Sequence, residues 1–364
     1  MNLVIKVGSS SVTNADFAFN DAVLESLTDQ IARAHEAGHR IAVVSSGAIA
    51  LGLGLLGLRQ ERPSDLVVLQ AASAVGQGDL IATYRQRLCR WGILTGQILL
   101  SASDFMERRQ YLSAKATLAQ MMDMGIVPII NENDAVADDE IRVGDNDRIA
   151  ALVAGLVGAD ALLLLTDQEG LFDADPRFFD DATLIEQVEE VTRELAALAG
   201  GTGTSRGSGG MATKIMAARI AAWSGVETLI AAATRPDAVQ SVLEHRLGVG
   251  TWVAKSRRRL PARKLWIGFG LPAAGWVKID DGASDALRRQ GSSLLVVGVR
   301  EVGGVFSADE AIEVRDLAGT NVAKGLARLS SGEIEDHLAR PSGAGPTDAP
   351  SLLIHRDDMI VLEA

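Results

Sequence analysis

The stretches IVPIINENDAV at residues 126–136 and VGDNDRIAALVAGLVGADALLLLTD at residues 143–167 decide the fold of this chain. In the first, an apolar run that predicts a strand leads directly into the Asn/Asp cluster NENDAV. In the second, the cluster VGDNDR opens an apolar stretch of helical length, and a further apolar strand follows after a glycine. The order of strand, helix and strand predicts neighbouring parallel strands joined by a helix.

The same alternation extends from the N-terminus to about residue 254. Helical patterns between the strands include residues 21–37 and 111–124. The run LLLL at residues 162–165 has no polar position, which is typical of a parallel strand buried on both faces. The pattern predicts an α/β domain at residues 1–254, a three-layer αβα sandwich with a mainly parallel sheet. The strand-like runs are residues 3–7, 41–46, 93–100, 126–130, 161–166 and 228–232.

A different pattern follows a basic linker at residues 255–265. Gly-rich turns separate short β-like runs, which predicts a small β-rich domain at residues 266–364, and residues 344–350 are expected to form an exposed loop. The linker's basic residues are Lys255, Arg257, Arg258, Arg259, Arg263 and Lys264. The β-like runs are residues 276–279, 293–299, 311–316 and 360–362.

Composition is that of an ordinary globular enzyme, with 364 residues, 47% hydrophobic and 23% charged. A single cysteine excludes a disulfide framework and favours a reducing cytoplasm. Because Cys89 lies in a helix-like stretch at residues 80–91, we expect a buried structural thiol. The five histidines lack metal-ligand spacing, so no zinc site is expected, and no apolar tract predicts a membrane span.

The net charge of −12 is unevenly distributed. Residues 1–250 contain 20 basic and 32 acidic residues, whereas residues 251–364 contain 15 of each. An acidic surface repels anionic substrates at long range. Any phosphate chemistry in the first domain therefore needs positive charge that is focused locally, by individual lysines.

Three segments of the first domain suit phosphate binding. KVGSS at residues 6–10 has a lysine in the first strand and a glycine in the turn after it. SSGA at residues 45–48 places small residues at the start of a helix, where backbone N–H groups attract anions. GTGTSRGSGGMATK at residues 201–214 could be a flexible linker. However, a cation such as Lys214 is disfavoured at a predicted helix N-terminus unless an anion is present.

The two Asn/Asp clusters are also candidates for ligand binding. Polar side chains at the carboxyl end of a strand and at a helix N-terminus can hold a small charged ligand. The alternative is that they form caps and Asx-turns, as most Asn and Asp residues in such places do. Their proximity, together with the phosphate-type segments, favours a binding site.

The string GLGLLG at residues 52–57 matches the dinucleotide fingerprint by letter, but its position argues against that function. The fingerprint requires its first glycine in the turn that follows the strand. Here the strand ends near Ser46, and GLGLLG lies a helical turn further on. A nicotinamide-dependent dehydrogenase is therefore an alternative that we reject, and we expect no binding of that cofactor.

These motifs, taken together and in order, resemble the amino acid kinase family, in an arrangement with a C-terminal PUA domain. NENDAV with VGDNDR and the PUA tail narrow the resemblance to members that act on glutamate. The resemblance implies the amino acid kinase fold for the first domain and a PUA domain for the second. The matching pieces are KVGSS, GHRIAVVSSGAIA, NENDAV, VGDNDR, LLLLTDQEGL with ADPR, GTG…GGMATK and HRDDMI.

The resemblance implies ATP-dependent phosphorylation of the L-glutamate side-chain carboxylate to L-glutamyl 5-phosphate, the first step of proline biosynthesis. It further implies feedback inhibition by proline, glutamyl phosphate reductase as the next enzyme, and a homo-oligomer. Mg²⁺ would be bound mainly through the ATP phosphates, because the sequence offers no dedicated carboxylate cage. A carboxylate acceptor of pKa about 4.3 is already ionised, so the reaction needs no general base.

The resemblance also implies roles for particular residues. Lys6 and Lys214 would flank the transferred phosphoryl group, with Asp147 holding both lysines, although Asp147 could also cap the following helix. The acceptor-binding residues would be Ser46, Gly47, Asp134 and Asn146. The ATP-binding residues would be Lys6, Gly8, Thr166, Asp167, Ser208, Gly209, Gly210, Met211, Ala212, Thr213 and Lys214.

Two further alternatives remain open at the level of sequence. Another amino acid kinase, acting on acetylglutamate, aspartate or a nucleoside monophosphate, shares several of the motifs. An RNA-binding protein is the alternative from another class, because PUA domains often bind RNA and the linker is basic. A net charge of zero over residues 251–364 is weak support for a phosphate-backbone binder.

Overall fold

A computed structural model of the chain separates into two compact units, Met1–Arg259 and Leu260–Ala364. The boundaries predicted from sequence, with a linker at residues 255–265, stay predictions. The structure describes residues 1–58, 63–101, 104–105, 107–136, 146–174, 176, 178–179, 181–192, 195, 210–257, 259–269, 271–339 and 351–362.

The larger unit is built on an eight-stranded sheet with the order β3-β4-β2-β1-β5-β7-β8-β6. Described helices are α1 (Ser9–Val12), α2 (Asp21–Glu36), α3 (Ala48–Leu55), α4 (Leu66–Cys89), α5 (Arg108–Asp123), α6 (Asn146–Val157), α7 (Met211–Ser224) and α8 (Ala238–Leu243). The strands are β1 (Asn2–Val7), β2 (Arg40–Ser45), β3 (Thr95–Leu100), β4 (Val127–Glu132), β5 (Ala161–Thr166), β6 (Gln187–Val188), β7 (Glu227–Ala232) and β8 (Thr251–Val253).

The central strands are parallel, and their carboxyl ends therefore share one edge of the sheet. β1 pairs with β2 on one side and with β5 on the other, so that Val7 faces both Ser45 and Leu165. β4 continues the parallel array beside β2, whereas β8 runs antiparallel to β7. Every residue of β4 and β5 is buried, as expected for strands covered by helices on both faces. The segments that follow β1, β2, β4 and β5 are thus brought close together.

Glycines allow α3 and α4 to pack in unusually close contact. A Cβ atom at Gly52 of α3 would overlap the carbonyl oxygen of Ala72, and one at Gly76 of α4 would overlap that of Ala48. A side chain at either position would force the helices apart. Because α3 starts directly after β2, this contact also fixes the position of α4 relative to the sheet edge.

The smaller unit combines a five-stranded sheet, in the order β11-β9-β12-β13-β15, with the two-stranded sheet β10-β14. Its strands are β9 (Gly275–Ile279), β10 (Leu294–Leu295), β11 (Val299–Gly304), β12 (Ala311–Arg315), β13 (Asn321–Leu326), β14 (Leu352–Ile354) and β15 (Met359–Val361). Its described helices are α9 (Ala262–Phe269), α10 (Asp281–Gln290) and α11 (Ser331–Ala339). Alternating burial along β9 packs Val277 and Ile279 into a core with Ile312 and Val314.

The fold class predicted from the sequence is confirmed, with two local corrections. Residues 293–299 do not form one strand, because a 3₁₀ turn at Val296–Gly298 separates β10 from β11. Cys89 is exposed, so the expectation of a buried thiol was wrong; it is the last residue of α4, on the face turned away from the core. Residues 344–350, predicted to form a loop, lie outside the described residues.

Among the described helices, α4 alone is long and apolar enough to cross a membrane by length and composition. Core helices of globular proteins pass the same test. α4 packs against α3, and its buried face carries Ser73 and Gln77, both hydrogen-bonded to other parts of the larger unit. These contacts identify it as a helix of the α/β fold.

We expect Gly76→Ala to lower stability by about 1–3 kcal/mol, because the added methyl group overpacks the contact with α3. Gly78 is the matched control: it lies in the same helix with no atom within 4 Å of its would-be Cβ. Gly78→Ala should raise stability by about 0.5–1 kcal/mol through higher helix propensity. Melting temperatures followed by circular dichroism test both, and equal effects at the two positions would refute the close-contact explanation.

Candidate functional site

A carboxylate lies between two buried lysines at the carboxyl edge of the sheet. Lys6 is on β1, Asp147 is in the first turn of α6, and Lys214 is in the first turn of α7. Lys6 Nζ lies 2.5 Å from Asp147 Oδ1, and Lys214 Nζ lies 3.3 Å from Asp147 Oδ2. All three side chains are at most 6% exposed. We call Lys6, Asp147, Thr213 and Lys214 the lysine cluster.

The electrostatics of the lysine cluster favour an ionised carboxylate. Burial by itself would raise the pKa of Asp147, but the charges of Lys6 and Lys214 and hydrogen bonds from Lys6 and Thr213 lower it to about 2. Burial lowers the pKa of Lys214, as does the charge of Lys6, while Asp147 opposes the shift. Within the lysine cluster two ammonium groups share one carboxylate, and two cations placed so close together suit an anionic ligand.

Glycines leave room for a ligand next to the lysines. Gly8 joins β1 to α1, and a Cβ there would lie 3.6 Å from Lys6 Nζ. Gly210 precedes α7, and its carbonyl oxygen lies 2.8 Å from the Thr213 hydroxyl, which is also 2.8 Å from Asp147 Oδ2. Thr213 therefore ties the start of α7 to the carboxylate. The Thr213 backbone N–H also donates to the Gly210 carbonyl (3.2 Å), so that both donors of Thr213 are used to fix the first turn of α7.

The turn after β2 is held against the end of β1. The Ser46 N–H donates to the Val7 carbonyl (3.0 Å), and Ser46 is buried. Gly47 has φ +112°, a left-handed conformation, and a Cβ there would lie 3.0 Å from Val12. Glycine is thus required where the chain turns into α3. The SSGA segment consequently presents the start of α3 at the sheet edge.

Asn146, next to Asp147 in α6, belongs to a second group of polar side chains. Its Oδ1 accepts from the Glu132 N–H (3.2 Å), and its Nδ2 donates to Asn131 Oδ1 (3.0 Å). Asn131 in turn donates to Gln77 Oε1 of α4 (2.7 Å). We call Gln77, Asn131 and Asn146 the amide cluster. Asp134, in the 3₁₀ turn after β4, accepts from Ser73 Oγ of α4 (2.9 Å).

The remaining predicted residues that the structure describes lie at the carboxyl end of β5 and at the start of α7. Thr166 is the last residue of β5, and its hydroxyl donates to Asp167 Oδ1 (3.0 Å). Asp167 is close enough to act on the charge of Lys214. Met211 and Ala212 open α7. Ser208 and Gly209 lie outside the described residues, as do residues 143–145 of the VGDNDR motif and residues 201–207.

The sheet thus assembles the described members of the predicted set at one edge, where the adjacent residues Asn146 and Asp147 join the amide cluster to the lysine cluster. Sequence reasoning did not single out Ser73 and Gln77 of α4, or name Asn131 as more than a part of NENDAV. The available signal was a pair of polar side chains four residues apart in a largely apolar helix, which places them on one face.

The described residues are compatible with a metal ion that binds as a complex with a phosphate ligand. Among them, no group of three His, Cys, Asp or Glu side chains could hold an ion. The carboxylate at the centre of the site is already engaged by two lysines and Thr213. A divalent cation coordinated by phosphate oxygens and water is compatible with this donor set.

Comparisons with known proteins identify the family and the fold. The family model described as "Amino acid kinase family" matches residues 1–232, and the model described as "PUA domain" matches residues 275–340. UMP kinase from Bacillus anthracis has a similar fold, with a TM-score of 0.50, 14% identity, and coverage of 70% of this chain and 96% of that one.

Similarity to curated proteins extends over the whole chain. Glutamate 5-kinase from Caldanaerobacter subterraneus subsp. tengcongensis is 41% identical, covering 100% of this chain and 98% of that protein. Glutamate 5-kinase from Erwinia tasmaniensis is 46% identical, covering 99% of this chain and 98% of that protein. Glutamate 5-kinase from Cronobacter sakazakii is 44% identical, with 98% of each covered.

Fold and site define a kinase: a parallel α/β sheet whose carboxyl edge presents buried lysines and helix N-termini to an anion. The full-length similarity is specific enough to go one step further. The chain belongs to the amino acid kinase family and, within it, to the glutamate 5-kinases, with a C-terminal PUA domain.

We expect Asp147→Asn to destabilise the larger unit by about 3–5 kcal/mol, because it leaves two buried ammonium groups without their carboxylate. The pKa of Lys214, already lowered by burial, should fall further without Asp147. The unfolded chain then binds more protons than the folded one, so the loss of stability should be smaller at pH 9 than at pH 6.

Melting temperatures of wild type and Asp147→Asn at the two pH values measure this difference. Asp79→Asn is the control, because Asp79 is an exposed carboxylate on α4. A loss of stability independent of pH, or one matched by the control, would contradict an electrostatic role for Asp147.

Proposed function

We propose that this protein transfers the γ-phosphoryl group of ATP to the side-chain carboxylate of L-glutamate, giving ADP and L-glutamyl 5-phosphate, the first step of proline biosynthesis. The observation that carries the proposal is the lysine cluster at the sheet edge. It supplies focused positive charge in a chain with a net charge of −12. Full-length similarity to glutamate 5-kinases supports the choice of acceptor over acetylglutamate, aspartate or a nucleoside monophosphate.

The chemistry needs no general base. A glutamate side chain, with a pKa of about 4.3, is ionised at neutral pH and is already the nucleophile. The difficulty is to bring this anion in line with a polyanionic phosphate and to stabilise the charge on the group in transfer. Fixed cations and amide dipoles perform that task best in a dry site, where they need not reorganise.

The lysine cluster accounts for phosphoryl stabilisation. Lys6 and Lys214 would contact the transferred group from β1 and α7, and Asp147 would hold both ammonium groups in place. The amides near Gly8 and Gly47 would donate to phosphate oxygens. On the nucleotide side, Thr166, Asp167 and the segment from Ser208 to Lys214 would bind ATP, by resemblance to the family motifs.

The acceptor would bind beside the amide cluster. Asp134 carries the negative charge that suits the α-ammonium group of an amino acid. Ser46 and Asn146 can donate hydrogen bonds to carboxylate oxygens. Because Asn146 and Asp147 are consecutive in α6, an acceptor bound at Asn146 lies one residue from the carboxylate that holds the lysines.

Several finer expectations belong to this proposal. Mg²⁺ would be coordinated by ATP phosphates and water, and it would neutralise part of the phosphate charge. Proline would inhibit the enzyme, glutamyl phosphate reductase would consume the product, and the protein would form a homo-oligomer in the cytoplasm. RNA binding by the PUA domain stays the open alternative that it was at the level of sequence.

Acyl phosphates react with hydroxylamine, which provides a direct test. Purified protein with ATP and Mg²⁺ should release ADP and form γ-glutamyl hydroxamate when glutamate is the sole acceptor. Measured by ADP release, aspartate should react at least about tenfold more slowly, since it is one methylene shorter and one methylene is worth about 10–200-fold. Acetylglutamate, which has no α-ammonium group, and UMP, which is a phosphate acceptor and is followed by ADP release only, should also react more slowly than glutamate. Absence of glutamyl hydroxamate, or a faster reaction with another acceptor, would overturn the proposal.

Lys6→Met should lower kcat by about 10²–10³, the usual cost of removing one donor that stabilises transition-state charge. Lys115→Met is the control, because Lys115 is exposed on α5. The hydroxamate assay at saturating substrates measures kcat, and circular dichroism checks that the fold is retained. Near-normal turnover of the folded Lys6→Met protein would remove Lys6 from the mechanism.

A further inference from the structure

The buried face of α4 carries three polar side chains in a largely apolar helix. Ser73 is 4% exposed, Gln77 is 8% exposed and Tyr84 is fully buried. Each is hydrogen-bonded at the carboxyl edge of the sheet: Ser73 to Asp134, Gln77 to Asn131, and Tyr84 to Ser45 (3.0 Å). α4 therefore contacts residues of the proposed acceptor site. It contains none of the sequence motifs that suggested this site.

The direction of the hydrogen bonds in the amide cluster is fixed at one end. The Glu132 N–H is a backbone donor, so the atom of Asn146 that faces it must be the oxygen. Asn146 then donates through Nδ2 to Asn131 Oδ1, and Asn131 donates through Nδ2 to Gln77 Oε1. One backbone donor therefore sets the orientation of three carboxamide side chains, with Gln77 as the last acceptor.

Gln77 is poorly explained as a packing residue. Its Oε1 accepts from Asn131, but its buried Nε2 has no hydrogen-bond partner. A buried donor without an acceptor is unfavourable, so a leucine or methionine would serve packing better. What Gln77 does supply is an acceptor that prevents the Asn131 carboxamide from rotating, and Asn131 in turn holds Asn146.

We propose that Gln77 and Ser73 are positioning residues of the acceptor subsite. Gln77 acts through Asn131 on the carboxamide of Asn146, and Ser73 acts directly on the carboxylate of Asp134. Both keep the polar atoms of the subsite in the orientation that an amino acid acceptor requires. This inference rests on the proposed function, because it assigns the acceptor to Asn146 and Asp134.

Gln77→Leu should raise the KM for glutamate by about tenfold, the effect of misplacing one hydrogen bond, with kcat and the KM for ATP changed less than about twofold. The Asn131 carboxamide loses its acceptor in this variant, whereas the lysine cluster keeps its contacts. Gln86→Leu is the matched control: Gln86 is exposed on the same helix. It should leave all three parameters unchanged.

Ser73→Ala should likewise raise the KM for glutamate by about threefold to tenfold, because the Asp134 carboxylate loses a donor. Ser113→Ala is its control, since Ser113 is exposed on α5. Should Gln77→Leu fail to fold, Gln77→Met, which is unbranched and closer in shape, makes the same test.

A double-mutant cycle separates positioning from structural support. If Gln77 acts through Asn131, Gln77→Leu adds less than about twofold to the KM for glutamate once Asn131→Ala is present. A full additional tenfold would show that Gln77 acts independently of Asn131 and would overturn the assignment. An unchanged KM for glutamate in Gln77→Leu, or equal effects on glutamate and ATP with a lower melting temperature, would overturn it as well.

The same assays distinguish this inference from the function on which it rests. Wild-type protein that forms no glutamyl hydroxamate refutes the proposed function, and the positioning role falls with it. Wild-type protein that is active, combined with a Gln77→Leu protein indistinguishable from it, refutes the positioning role alone.

Discussion

The Asp147 carboxylate, held between Lys6 and Lys214, is the interaction on which the rest of the larger unit depends. It joins β1, α6 and α7, which are far apart in sequence, at a single buried point. Burying three charges is costly unless each is compensated, and Asp147 is shared between two ammonium groups, with Asp167 acting in addition on the charge of Lys214. Two ammonium groups fixed at one buried point suit an anionic ligand, so that the geometry that costs stability is also the geometry that a bound phosphate group would need.

The parallel sheet was predictable because strands buried on both faces show as unbroken apolar runs, as at residues 162–165. Much of the site followed from the same fact: carboxyl ends of parallel strands meet at one edge, so that Gly8, Ser46, Asp134 and Thr166 had to come together. The pairing of Asp147 with two lysines could not be predicted from the spacing of these residues in the sequence. It was predicted only from the resemblance to the amino acid kinase family.

α4 shows why the remaining features of the site could not be predicted from the sequence. Its apolar residues are spread around the helix, and Val67 and Val75 are exposed while Leu80 is buried. A helix without one apolar face gives no indication of which side is covered. Burial of Cys89 was therefore inferred from helix membership alone and was wrong. For the same reason, the sequence did not show that Ser73 and Gln77 lie on the covered face of α4, where they contact Asp134 and Asn131.

The glycine contact between α3 and α4 links the packing of these helices to the residues of the proposed acceptor subsite. α3 begins directly after Gly47 in the turn that follows β2, while α4 carries Ser73 and Gln77 to the end of β4. Since Gly52 and Gly76 leave no space for a side chain between the helices, α4 cannot shift without moving its polar side chains relative to Asp134 and Asn131. If Asp134 and Asn146 bind the acceptor as proposed, a change in the packing of these two helices alters the affinity for it, although neither helix carries a residue of the lysine cluster.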